Sequence, residues 1–122
     1  MAKLTLADAL KLGIEAHETG QAQKADGYYT SILKVKPDHP AANYNLGVLA
    51  VSIGKPEQAL GLFEKALKSN PSVHQHWLRY VSTLVDLGKI GDAMRLAQKA
   101  KKDNFYCDLI QKLNDLTAAQ TI

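Results

Sequence analysis

Apolar residues recur along this chain at helical spacing, three and four apart, and nowhere alternate as strands do. The stretch Tyr44 to Ala59, YNLGVLAVSIGKPEQA, shows the pattern and also a puzzle, since it holds two glycines seven residues apart. A glycine inside a helix costs about 1 kcal/mol relative to alanine. Gly54 has a ready purpose, because its left-handed conformation can end a helix running from about His39 to Ile53. Asp38 is the expected cap of that helix. Pro56 suits the first turn of the next helix, where its missing N–H is harmless. That helix should stop near Ser69, with Pro71 barring continuation. Ser72 and Gln75 have the spacing of a capping box for the helix after it. Gly47 remains to be explained.

The explanation lies in a period. Gly20, Gly54 and Gly88 are spaced by 34, as are Pro37 and Pro71, with Phe105 at the next step. Leu12-Gly13 recurs as Leu46-Gly47 and then as Tyr80-Val81. The series Ala25, Ala59, Ala93, the series Tyr29, Phe63, Ala97 and the series Ile32, Ala66, Ala100 keep the same step. Three repeats follow, at residues 6–39, 40–73 and 74–107, each built of two helices. Gly47 is then a small residue where the first helix of a repeat faces the second. Ala59 is its expected match, and Phe63 and Leu46 fill the surrounding volume.

These positions resemble the tetratricopeptide repeat, whose 34-residue pattern reads W-x2-L-G-x2-Y, A-x3-F, P. Repeat two carries Leu46, Gly47, Ala59, Phe63 and Pro71 at the family spacing. Repeat one carries Leu12, Gly13, Ala25 and Pro37, with Tyr29 in the Phe place. Repeat three keeps Trp77 and Ala93 but has lost the Gly, the Phe and the Pro. The resemblance implies an all-α fold, a right-handed superhelical array of three helix pairs. An amphipathic segment at 106–120 adds a C-terminal capping helix, making seven helices in one domain. Tyr106, Leu109, Ile110, Leu113 and Leu116 line its apolar side, opposite Asp108, Gln111, Lys112 and Asp115.

A stripe on the first helix of each repeat tells where the array starts. It is Ala42, Leu49 and Ile53 in repeat two, and His76, Thr83 and Leu87 in repeat three. Repeat one has Asp8, Glu15 and Thr19 there. Read as the face that packs on a preceding repeat, it implies that none precedes repeat one, since solenoid ends need polar outer faces.

Composition narrows the function classes. The 122 residues are 46% hydrophobic and 22% charged, with a formal net charge of +3 and a pI near 9.0. This is too mildly basic to imply nucleic acid. Lys99, Lys101 and Lys102 cluster at a helix C-terminus, where the dipole favours cations, with Asp103 and Asp108 close behind. Neither a signal peptide nor a membrane-spanning run is evident, so a cytoplasmic location is expected with no membrane partner. The lone cysteine, Cys107, excludes an internal disulfide and is expected to be half-buried. His74 and His76 are two apart on a helix, too far round to share a metal. His17 and His39 fall near helix ends and read as surface residues. With no catalytic motif, the chain is expected to be no enzyme, with no cofactor and no metal.

The resemblance implies ligand contacts on the first helix of each repeat. In repeat one these are Leu10, Lys11 and Ile14, extended by His17 and Glu18. In repeat two they are Ala41, Tyr44, Asn45, Val48, Val51 and Ser52. In repeat three they are Gln75, Leu78, Arg79, Ser82, Val85 and Asp86. Val51 and Val85 could equally be core, whereas helix geometry is expected to turn Tyr44, Asn45 and Arg79 away from the second helix. A subfamily grips the C-terminal carboxylate of heat-shock chaperones with a five-residue clamp. Asn45 and Arg79 match two of its members, but Leu10, Ile14 and Gln75 replace a lysine, an asparagine and a second lysine, so a chaperone tail is not the expected ligand. The expected function is a non-catalytic protein- or peptide-binding module. Two alternatives stay open. The repeat spelling is similar to arrays beside bacterial transferases and in O-GlcNAc transferases, implying a recruiting or targeting arm of a larger enzyme. Exposed repeat edges could instead build a self-associating scaffold.

Overall fold

Each helix pair closes on the same turn. At the first, the Gln21 amide donates to the Ala16 carbonyl at 2.8 Å and the Gly20 amide to His17 at 3.1 Å. Lys55 to Ala50 with Gly54 to Val51, and Lys89 to Leu84 with Gly88 to Val85, repeat the arrangement. Both bonds satisfy carbonyls that the ending helix leaves orphaned. They require a left-handed residue after the cap, and Gly20, Gly54 and Gly88 have φ of 77°, 82° and 77°.

The computed structural model describes residues 4–102 and 106–120, so Asp103 and Phe105 lie outside the described residues. Among these the order is α1 (Leu6–Glu18), α2 (Ala22–Val35), α3 (Pro40–Ser52), α4 (Pro56–Ser69), α5 (His74–Asp86), α6 (Ile90–Lys99), a 3-10 turn (Ala100–Lys102) and α7 (Tyr106–Gln120). The fold is all-α, with no strand among the described residues. Two compact units divide the chain, Met1–Ser69 and Asn70–Ile122.

In the first unit α1 pairs with α2 and α3 with α4, and α3 also lies on α2. Leu49 joins Ala16, Ala25 and Tyr29 in one buried cluster, and Ala42 joins Ala9 and Ile32 in another. Two members of the α3 stripe thus pack on the preceding pair, as expected, while Ile53 stays 49% exposed. Gly47 is explained by a ring. A Cβ added there would stand 2.5 Å from Cε1 of Phe63, and one added to Gly13 would stand 2.5 Å from Cε1 of Tyr29. Of the residues expected around Gly47, Phe63 is the one whose aromatic ring needs the room.

In the second unit α5 pairs with α6, and α7 packs on both. The described apolar side of α7 is buried at Leu109 and Leu113. Cys107, two residues from Leu109 and so on another face, is exposed and not half-buried.

Helix starts depart from expectation in two places. His39, not Asp38, caps α3, its Nδ1 accepting the Ala42 amide at 3.1 Å. Pro40 at the first helical position holds the residue before it in the extended region that a cap requires. The Ser72–Gln75 capping box does not form. Ser72 instead donates its hydroxyl to Asn70 Oδ1 at 2.6 Å, and Val73 at the cap makes no side-chain bond. A capping box does form at α1, where Thr5 and Asp8 exchange bonds.

Candidate peptide-binding face

The residues implied as ligand contacts divide by unit. On α1, Lys11 is exposed, while Leu10 and Ile14 are half-buried against the cluster around Tyr29 and Leu49. On α3, Tyr44, Asn45 and Val48 are half-buried and Ser52 is exposed. Two of these have internal work. Asn45 Nδ2 donates to the Ala41 carbonyl at 2.8 Å. Ser52 donates to the Leu49 carbonyl at 2.7 Å, and its oxygen lies 3.1 Å from His17 Nε2. His17 is therefore a half-buried tie between α1 and α3, not a free surface residue.

Tyr44 is a correction as well. It was expected to turn away from the second helix, yet its ring centroid lies 5.8 Å from that of Phe63 on α4, with the planes at 40°. Tyr44 precedes Gly47 by three residues and so shares its face, which is where the Phe63 ring sits. Its rim can still meet a ligand, but its body belongs to the core.

In the second unit the candidates all lie on α5. Gln75 and Asp86 are exposed, Leu78, Arg79 and Ser82 half-buried, and Val85 fully buried, so Val85 is core and Val51 half-buried. The Arg79 guanidinium has no carboxylate partner among the described residues. His76 is buried, and burial holds its imidazole below the usual histidine range. His74 Nε2 lies 3.7 Å from Asp108 Oδ2, joining the starts of α5 and α7. Lys101, beyond α6, holds its ammonium 5.8 Å from the Tyr106 ring centroid.

No cluster of metal-ligating side chains occurs among the described residues. None of their helices is long and apolar enough to cross a membrane. Sequence reasoning missed a pocket of about 250 Å³ in the first unit. Leu46, Leu49 and Ala50 form its floor, Ile53 and Leu62 its sides, and the first turns of α2 its far wall.

Helix pairs with a glycine under an aromatic ring, closed by one repeated turn, define a helical repeat protein. The chain belongs to the tetratricopeptide-repeat family: models described as tetratricopeptide repeat match residues 16–76 and 49–105. Among solved structures it is similar to the MamA protein, with 20% identity and a TM-score of 0.78 over 94% of this chain and 63% of that one. It is also similar to an O-GlcNAc transferase of Thermobaculum terrenum, with 20% identity and a TM-score of 0.71 over 85% of this chain and 21% of that one. A third is the first tetratricopeptide domain of Spaghetti bound to an HSP90 peptide, 19% identical, with a TM-score of 0.73 over 98% of this chain and 100% of that one. The chain thus spans less than two thirds of the first two. No curated protein matches it in sequence.

Proposed function

We propose that this chain is a non-catalytic module that binds a peptide segment of a partner protein. The first unit by itself offers Lys11, Asn45 and Val48 as contacts, and the second by itself offers Leu78, Arg79 and Ser82. The observation that carries this reading is Arg79, a half-buried residue whose guanidinium makes no ion pair among the described residues. A guanidinium without an internal acid can take a carboxylate or carbonyl brought by a ligand, which its planar fork grips in two places. Membership of a family with peptide-bound relatives, such as the Spaghetti domain, supports the same reading. Chaperone tails are not the proposed ligand, because Leu10, Ile14 and Gln75 supply no cation for a terminal carboxylate.

The test is capture of proteins from cell lysate by the wild-type chain and by the double variant Asn45→Ala with Arg79→Ala. Tyr44 is left intact because its ring supports Phe63. The variant is expected to keep its helical circular dichroism and lose the captured protein, since arginine anchors commonly contribute about 2 kcal/mol or more. A control pair on the second helices, Lys65→Ala with Lys99→Ala, both exposed, should capture as well as wild type. The reverse result assigns the ligand to the other side of the helix pairs.

A further inference from the structure

The pocket walled by α2 has an open counterpart. A concavity of about 200 Å³ on the α1–α2 pair is lined by residues that each lie 34 positions before a residue lining the α3–α4 pocket. Leu12 and Ala16 floor it as Leu46 and Ala50 floor the other. In the α3–α4 pocket the remaining wall comes from Ala22, Gln23 and Asp26, in the first turns of α2. Among the described residues no helix stands in that place beside α1 and α2. The fold therefore displays the kind of element that fits this shape: the first two turns of an α-helix led by a small residue.

The chemistry of the rim has changed between the two. Glu15 stands in the place of Leu49, Thr19 of Ile53, Lys24 of Gln58 and Tyr28 of Leu62. Thr19 is held in place, donating to the Glu15 carbonyl at 3.0 Å and accepting from Gln21 Nε2 at 2.8 Å. Glu15 and Lys24 make no ion pair among the described residues, and the Tyr28 hydroxyl makes no hydrogen bond there. An apolar helix laid on this slot would desolvate a carboxylate and an ammonium without compensation, which is strongly unfavourable. A helix carrying a base and an acid would meet both.

We propose that the α1–α2 face docks an α-helix of a partner protein. That helix carries a base for Glu15 and an acid for Lys24, at the positions Gln23 and Asp26 hold in the filled pocket. None of the proposed peptide contacts lines this concavity, and the two readings stand or fall separately.

The probe is a stapled helical peptide of residues 20–36 of this chain with Gln23→Lys, titrated into the full chain and followed by amide chemical shifts. Shifts should centre on Leu12, Ala16 and Tyr28, saturating below roughly 1 mM. The protein variant Glu15→Lys with Lys24→Glu, changed only at exposed positions, should bind this peptide about tenfold more weakly. It should recover binding to a peptide carrying Gln23→Glu and Asp26→Lys. No binding at roughly 1 mM, shifts centred on α3 or α5, or indifference to the charge swap would each overturn the proposal. Dimers in sedimentation that the same swap dissolves would put a second copy on this face, and overturn a foreign helix as its occupant.

Discussion

In the pairs α1–α2 and α3–α4, a glycine on the first helix lies beneath an aromatic ring from the second: Gly13 under Tyr29, Gly47 under Phe63. The corresponding positions of α5–α6 are Val81 and Ala97, both fully buried. Bulk has moved from the second helix to the first, so what persists is the filled volume of the crossing, not the identity of either residue. A neighbouring position shows a similar exchange. Asn43 Nδ2 donates to the Pro37 carbonyl at 3.1 Å, and 34 residues later Trp77 Nε1 donates to the Pro71 carbonyl at 2.7 Å. An amide and an indole satisfy the same backbone group. The third pair looks degenerate by residue type, yet it meets the packing requirement of the other two, and the hydrogen-bonding requirement of the second, with different side chains.

The largest effects should come from forcing one solution onto the other. Phe63→Ala leaves a cavity beside Gly47 and should cost about 3–5 kcal/mol. Gly47→Val drives a branched side chain into the Phe63 ring and should cost about 1–3 kcal/mol or more. Together they install the α5–α6 combination, so the double variant should be less destabilised than the two costs added, by roughly 1–3 kcal/mol. Denaturant unfolding of the four proteins measures this. Simple additivity would mean that bulk is not exchangeable across this crossing.

The exchange also explains what could be read in advance. A 34-residue step in glycines, prolines and alanines was enough for the helix pairs and their turns, because a left-handed turn admits little but glycine. The bounds of the last helix followed from its apolar spacing. Capping was less legible. Ser72 had a capping-box partner at the right distance, but Asn70 competed for its hydroxyl through a local turn, a rivalry that spacing alone does not rank. The proposed contacts on α1, α3 and α5 rest on resemblance alone. Tyr44 was not legible as a core residue, because its contact with the Phe63 ring depends on how α3 and α4 cross. The pocket beside α2 left no trace in any single repeat, since its walls come from two of them.

Acid should separate the units. His76, on α5, is a buried histidine, whereas His17 and His39 of the first unit are half-buried. Burial holds the folded His76 below the ordinary histidine value of about 6.5. An unfolded chain therefore takes up a proton near pH 6.5 that the folded chain refuses, so stability falls as pH drops through that value. The loss levels off below the folded pKa. The prediction is that His76→Gln flattens the decline in unfolding midpoint between about pH 8 and pH 5. An unchanged slope would remove His76 as its source.

The smallest effect expected is a gain, and it comes from within the first unit. Tyr29 and Phe63 hold the same place in successive pairs, both fully buried, over glycines with the same spacing to the ring. They differ by one hydroxyl. That of Tyr29 is buried and has no hydrogen-bond partner among the described residues. Burial raises its pKa, with a smaller contribution from Glu18, so the phenol stays protonated and keeps a donor with nowhere to give. An unsatisfied buried hydroxyl costs about 1–3 kcal/mol against its hydrated form. Phe63 demonstrates that the slot accepts the bare ring. Tyr29→Phe should therefore stabilise the protein by up to about 1 kcal/mol, a rise of a few degrees in melting temperature. A lower melting temperature would show that the hydroxyl is satisfied after all, and that the two crossings differ in more than one atom.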